Sequence, residues 1–194
     1  IQDSEQRHWL AFGHTLWVGN ALGETQFQLD TSAESGLGGP LTDLCATQQG
    51  GVVIASQQGL VTWLDAAGEV RQQIQWPQAG KILLACRASE PEVWLLHADT
   101  GLLYQITPQG QAQLRWRGPP GINNLSWASD HTLWLPLPGS AQLLKLRLKL
   151  GREARVLLRH ASVSVERNEV VVGALVLAAL GVHRVQDLGL AHEG

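Results

Sequence analysis

Charge is scarce in this chain. Asp, Glu, Lys and Arg together make up 16% of it, against about a quarter in an ordinary globular protein. The net charge is only −3, so no global field draws the protein toward nucleic acid or an anionic membrane. Methionine is absent, Tyr occurs once and Phe twice. Cysteine occurs only as Cys45 and Cys86, with no CxxC pair and no Cys/His cluster, which argues against a zinc site of the common kinds. Two isolated cysteines read most simply as free, buried thiols. The longest apolar run, 170–180, is too short to cross a bilayer as a helix. No GxSxG is present, and the Gly-rich run 36–40 has neither the Lys nor the following helix of a phosphate loop. The first residue is Ile1, without Met or a signal-peptide pattern, from which a removed leader or a longer parent chain is expected.

What is plentiful is Trp, eight residues spread along the chain, and short apolar runs punctuated by Gly and Pro about every ten residues. The stretch 81–118 shows the pattern most clearly. Four candidate strands, 81–88, 92–98, 102–107 and 112–117, are separated by Ser89-Glu90-Pro91, Asp99-Thr100-Gly101 and Pro108-Gln109-Gly110. Pro and Gly set the backbone angles of tight turns. Strands joined so closely pair antiparallel, because a parallel crossover needs a dozen or more residues. The same reading predicts strands at 8–12, 15–21 and 25–30, then 41–46, 52–56, 60–65 and 70–76, then 124–128, 132–137, 143–150 and 154–159, and finally 161–166, 169–177 and 181–188. Frequent Gly and Pro leave little room for helices.

The units repeat. His14-Thr15-Leu16-Trp17 recurs as His131-Thr132-Leu133-Trp134, an offset of 117, or three times 39. Turn glycines Gly68, Gly110 and Gly151 are 42 and 41 apart, and Trp76 and Trp116 are 40 apart. Four strands per repeat of about 40 residues is the signature of an all-β propeller. The second strands, 93–96 and 170–177, are apolar on both faces, as expected where each sheet is covered on both sides. The expectation is therefore one repeat domain of about five four-stranded antiparallel blades, with a period near 39–40. The units fall at about 5–40, 41–79, 80–120, 121–160 and 161–190. The first shows no clear fourth strand and the fifth lacks one. Either a small ring with irregular end blades results, or a missing chain or partner completes a larger propeller.

The residues HTLWVGN (14–20) are similar to the core of two-component-regulator propeller repeats. ADTGLLYQITPQGQAQL (98–114) resembles the strand–turn–strand core of NHL, gluconolactonase-like and virginiamycin-lyase-like propeller repeats. The Gly-His and Trp-Asp pairs of WD40 repeats are missing. The resemblance implies the propeller fold, and fold alone does not carry function.

Ligands of propellers usually sit at the mouth of the central channel, on loops joining second to third strands and fourth strands to the next unit. Those loops carry mostly Gly, Pro, Gln, Ser and Ala; Glu24, Asp99 and His160 are the readily titrating exceptions. The gluconolactonase-like resemblance implies carboxylate and amide ligands for a divalent metal, for which Glu24, Asp99 and Asn123 are the candidates. Turn chemistry already explains Asp99 and Asn123. His14 and His131 share a repeat position on the opposite rim and read as polar turn residues. No catalytic residue, metal set or cofactor is therefore assigned.

The most uneven feature is 145–159, which holds six of the 14 Lys and Arg residues. Lys145, Arg147 and Lys149 alternate with leucines, so period two places them on one face of a strand. They read either as a solvated outer strand that resists edge-to-edge pairing or as a docking stripe for an acidic protein partner. Nucleic acid fits poorly, since no aromatics interleave with the cations. The expected function is a non-catalytic scaffold for protein–protein interaction within a larger assembly. The alternatives are a small-molecule enzyme of the lactonase or lyase propeller type, or the ligand-sensing domain of a receptor. Composition points to no cellular compartment.

Overall fold

The turn residues impose a chain that reverses every five or six residues. The computed structural model describes residues 1–87, 90–107, 109–128, 132–147 and 157–161. They form four antiparallel sheets of consecutive strands. The first holds β1 (His8–Phe12), β2 (Thr15–Gly19) and β3 (Thr25–Asp30). The second holds β4 (Leu41–Ala46), β5 (Gly51–Ser56), β6 (Leu60–Asp65) and β7 (Val70–Gln75). The third holds β8 (Ile82–Cys86), β9 (Val93–His97), β10 (Leu102–Ile106) and β11 (Ala112–Arg117). The fourth holds β12 (Ser126–Ala128), β13 (Thr132–Pro136), β14 (Leu143–Arg147) and β15 (Leu157–Ala161). The predicted strands of the first three units are recovered to within two residues at either end. In the fourth, the last strand lies three residues later at its start than 154–159. Unit 161–190 falls outside the described residues apart from Ala161.

The first sheet has three strands, as its sequence indicated. A 3-10 turn at Ala33–Ser35 stands where an outermost strand would run. On the channel side of β1 a single bridge, Gln2 to His8, continues the pairing inward.

Consecutive sheets pack face to face, and three apolar cores lie between them. Trp9, Leu16 and Val18 of the first sheet meet Val52, Ile54 and Leu64 of the second. Cys45, Val53, Ala55 and Val61 of the second meet Ile82, Leu84, Val93 and Leu95 of the third. Leu83, Trp94, Leu96 and Leu103 of the third meet Leu133, Leu135, Leu144 and Leu146 of the fourth. Each sheet thus has a rear face toward its predecessor and a forward face toward its successor. Since strand side chains alternate between faces, a strand packed on both sides is mostly apolar, with polar residues only at its ends, here Ser56 and His97. Every residue of β5 and β9 is buried.

The turns need their glycines only where the backbone demands it. Gly101, between β9 and β10, has φ 68°, and a Cβ there would run into the carbonyl oxygen of Gly118. No other residue closes that hairpin without strain.

Two sequence expectations are corrected by this packing. Cys45 and Cys86 are not free thiols: they form a disulfide, with Cα atoms 5.4 Å apart. Their one-place offset in equivalent strands does put them on different faces. In stacked sheets, however, the forward face of one sheet meets the rear face of the next, so different faces are what bring the sulfurs together. The two His-Thr-Leu-Trp segments are likewise not equivalent. Leu16 packs forward against the second sheet, whereas Leu133 packs rearward against the third. Trp17 therefore faces rearward and Trp134 forward, a one-residue slip that reverses the face. Trp94 is 4% exposed, as expected, while Trp134 is only half-buried.

The seam between the first two sheets is closed by a polar lock. The Asp3 carboxylate accepts hydrogen bonds from the Glu5 amide at 2.9 Å, the Arg7 amide at 3.0 Å, Arg7 Nε at 2.8 Å and Trp9 Nε1 at 2.7 Å. Arg7 Nη1 in turn donates to the Ala66 carbonyl at 2.9 Å, across the seam. Burial alone would raise the Asp3 pKa, but the bonds from Trp9, Arg7 and Glu5 outweigh it and hold the pKa below its ordinary value. Asp3 thus stays ionised in the folded protein to lower pH than in the unfolded chain. Its stabilisation is complete above about pH 4, the ordinary aspartate range, and is lost as pH falls through the folded value. Asp3→Asn should therefore lose less stability on acidification than the parent. Urea midpoints at neutral pH and at about pH 2.5 test this; equal losses in both proteins would mean the lock carries no proton linkage.

Candidate functional site

The first strand of each sheet faces the axis of the arc. Side by side, β4, β8 and β12 wall a cavity of about 230 Å³. Its lining comprises Asp43, Leu44 and Cys45 from β4, Leu84, Ala85 and Cys86 from β8, and Asn124 to Trp127 along the approach to β12 and into it. Ile1 closes part of one side. The wall is mixed, with Asp43, Asn124 and Ser126 as polar side chains among Leu44, Leu84, Leu125 and Trp127.

Asp43 is placed by an irregularity. The β4–β5 pairing shifts between Leu41 and Asp43. Thr42, inside that shift, donates its hydroxyl to the Ile82 carbonyl at 2.8 Å. Asp43 Oδ1 accepts the Leu44 amide at 2.9 Å, and Oδ2 accepts the Leu84 amide of the next sheet at 2.7 Å. Burial raises the Asp43 pKa above its usual value, against the lowering pull of the Leu84 and Leu44 amides and of Lys81. The equivalent place in β8 is Leu83, which is buried. An acid amid the apolar positions of an inner strand is the sequence signal for this residue, which lies outside the loops where propeller ligands are expected.

The residues singled out from the sequence are scattered. Glu24 is exposed and accepts a hydrogen bond from Asn20 Nδ2 at 2.7 Å. Asp99 Oδ2 lies 3.4 Å from the Lys81 amide, beside the buried His97. His97 has both ring nitrogens occupied, by the Ala79 carbonyl at 3.2 Å and the Thr100 hydroxyl at 3.1 Å. Asn123 is exposed one residue before the cavity wall. Among the described residues, no three His, Cys, Asp or Glu side chains come together to hold a metal ion. His14 lies in the β1–β2 turn; His131 is outside the described residues.

The basic stripe is only partly in view. β14 is an interior strand, paired with β13 on one side and β15 on the other, so it guards no sheet edge. Leu144 and Leu146 are buried toward the third sheet. Lys145 points the other way, with its amine 5.3 Å from the centre of the Trp134 ring. Arg147 occupies the register position opposite Thr132. Lys149 lies outside the described residues.

No protein-family model matches the chain, and no curated protein resembles it significantly in sequence. Its fold is similar to solved propellers. Virginiamycin B lyase from Staphylococcus aureus superposes with a TM-score of 0.65 at 9% identity, over 84% of this chain and 54% of the lyase. A streptogramin B lyase structure gives 0.61 at 9% identity, over 84% and 54%. A catalytically inactive variant of the S. aureus lyase with Quinupristin gives 0.65 at 9%, over 84% and 55%. The chain thus has the all-β propeller architecture and spans about half the length of these proteins. The comparison corrects the scaffold expectation: the three solved propellers named here are lyases, none of them supports a scaffold, and at 9% identity they show the fold alone.

Proposed function

We propose that the cavity on the axial wall is a small-molecule site and that the chain belongs to a propeller enzyme of the lyase type, with Asp43 as its proton-transferring group. The observation that carries this reading is the position of Asp43. It is a carboxyl with a raised pKa, set in the wall of the cavity beside Leu44 and Leu84. Perturbed acids in clefts mark functional sites more often than chance. The two amide bonds occupy one lone pair on each oxygen and leave the others for a ligand. A carboxylate with a raised pKa is a stronger base at neutral pH than an ordinary one, which suits removal of a proton from carbon. The Asn124 amide, on the approach to β12, and the Ser126 hydroxyl, in β12, would hold polar groups of the same molecule.

The similar folds are those of virginiamycin B and streptogramin B lyases, so virginiamycin B and simple lactones are the first compounds to try. Elimination within a ring leaves the product mass unchanged, whereas hydrolysis adds a water, and mass spectrometry separates the two. Asp43→Asn should lower kcat at least about 100-fold, the usual effect of losing a general base, with KM little changed. Its far-UV circular dichroism should match the parent, because the Asn carbonyl retains one of the amide bonds. Absence of turnover with every compound, or undiminished turnover by Asp43→Asn, would defeat the assignment.

A further inference from the structure

Three links join β4 to β8 along the axial wall, and they run as a ladder. Thr42 donates its hydroxyl to the Ile82 carbonyl at 2.8 Å, Asp43 Oδ2 accepts the Leu84 amide at 2.7 Å, and the sulfurs of Cys45 and Cys86 are bonded. Asp43 and Cys45 are two residues apart on one strand, and Leu84 and Cys86 two apart on the other, so in each strand the pair shares a face. The disulfide is therefore the next rung after the carboxylate's own bond. It is also a different kind of rung. A hydrogen bond gives way to water at a net cost of about 1 kcal/mol, whereas joined sulfurs keep their strands within a fixed reach whatever else moves.

Both sulfurs line the cavity that holds Asp43. Cys45 is 4% exposed and Cys86 is half-buried, so a reagent entering from the cavity meets Cys86 first. Asp43 in turn depends on how closely the two strands approach. Burial is the largest influence on its pKa, ahead of the Leu84 and Leu44 amides and of Lys81, the charged group that acts on it. Its neighbour in β5 is Ala55, and the polar side chains from the approach to β12 and from β12 itself are the uncharged Asn124 and Ser126.

We propose that the Cys45–Cys86 bond is the positioning element of the Asp43 site: it holds β4 and β8 at the separation that keeps the carboxyl on the Leu84 amide and away from bulk water, and reduction by a dithiol releases it. In that step a thiolate of the dithiol attacks the Cys86 sulfur and Cys45 leaves as a thiolate. The second thiol of the reagent then displaces Cys86 from the mixed disulfide. The chain gains two thiols, the reagent becomes a disulfide, and two electrons pass from reagent to protein. The wall then opens, water reaches the carboxyl, and the loss of burial, the larger influence, lowers its affinity for a proton. The strength of the base thus follows the redox state of its surroundings. That this controls turnover rests on the function proposed for the cavity; that it controls Asp43 does not.

Carbon-13 NMR of the Asp43 carboxyl, identified by its absence from Asp43→Asn, tests this on the whole chain with and without dithiothreitol. The titration midpoint of Asp43 should fall toward the ordinary aspartate value on reduction, with far-UV circular dichroism unchanged. Thr42→Val, which removes the hydroxyl bond to Ile82 and leaves the sulfurs joined, should titrate as the parent does. With a compound that is turned over, kcat should fall on reduction by about 100-fold, the scale for a catalytic group displaced by an ångström or so. A folded, reduced protein whose Asp43 midpoint stays or rises overturns the proposal, and so does Thr42→Val with a lowered midpoint. Should reduction unfold the chain, Thr42→Val decides alone. Lack of turnover in both redox states counts against the cavity as an active site and leaves the titration result standing.

Discussion

Replacing Trp94 with alanine should remove about 3–5 kcal/mol of stability, the range for deleting a large buried aromatic side chain. Trp94 is 4% exposed and sits in the core between the third and fourth sheets with Leu83, Leu96 and Leu133. Its ring meets that of Trp127 edge-on, with centroids 5.9 Å apart. The cavity left by alanine would be lined by two sheets whose spacing is set elsewhere by leucines, so the site cannot collapse. Its Nε1 finds no hydrogen-bond partner, so the loss is one of packing. Trp94→Phe should accordingly cost much less. Trp134→Ala, at the half-buried equivalent position, should also cost less than Trp94→Ala. Denaturant unfolding of the three variants measures the order, and a Trp94→Ala loss well under 1 kcal/mol would show that the sheets are not stacked as described.

Reduction of the Cys45–Cys86 bond should have an effect of similar size. The crosslink joins residues 41 positions apart, and the chain-entropy model gives about 4 kcal/mol for a loop of that length. The oxidised protein should weigh two hydrogens less than its sequence mass, and its unfolding midpoint should fall on adding dithiothreitol. Alkylation of both thiols in the native, unreduced protein would refute the bond. Disulfides persist in oxidising compartments, so the same experiment bears on where the protein can work.

The strand pattern was legible because it depends on local chemistry. Gly101 and the Asp-Thr-Gly turn, or the unbroken apolar run of β9, declare themselves without any partner. What escaped depends on how sheets face one another. Cys45 and Cys86 looked unpairable when placed in superposed repeats, yet superposition compares like faces while stacking joins unlike ones. The two His-Thr-Leu-Trp segments look equivalent by spacing, yet a slip of one residue reverses the face. Asp43 carries no loop or turn signal, because it is the register shift at Thr42 that turns a residue of an inner strand into a wall group. Strand order, which spacing does not reveal, makes β14, the strand that carries Lys145, interior.

The bond between β4 and β8 also has a kinetic side. Native proteins open in cooperative pieces, and each amide exchanges with solvent only as fast as its piece comes apart. The first sheet joins the second through side-chain packing and the Asp3–Arg7 lock, and the fourth joins the third through packing and the Arg87 guanidinium, 5.6 Å from the centre of the Trp127 ring. The second and third are fastened three times on the axial side: by the sulfurs, by Thr42 to Ile82, and by Asp43 to Leu84. The second and third sheets should therefore open together, as a single foldon. Backbone amides of β5 and β9, covered on both faces, would be the last to take up deuterium, and a reductant would release them early.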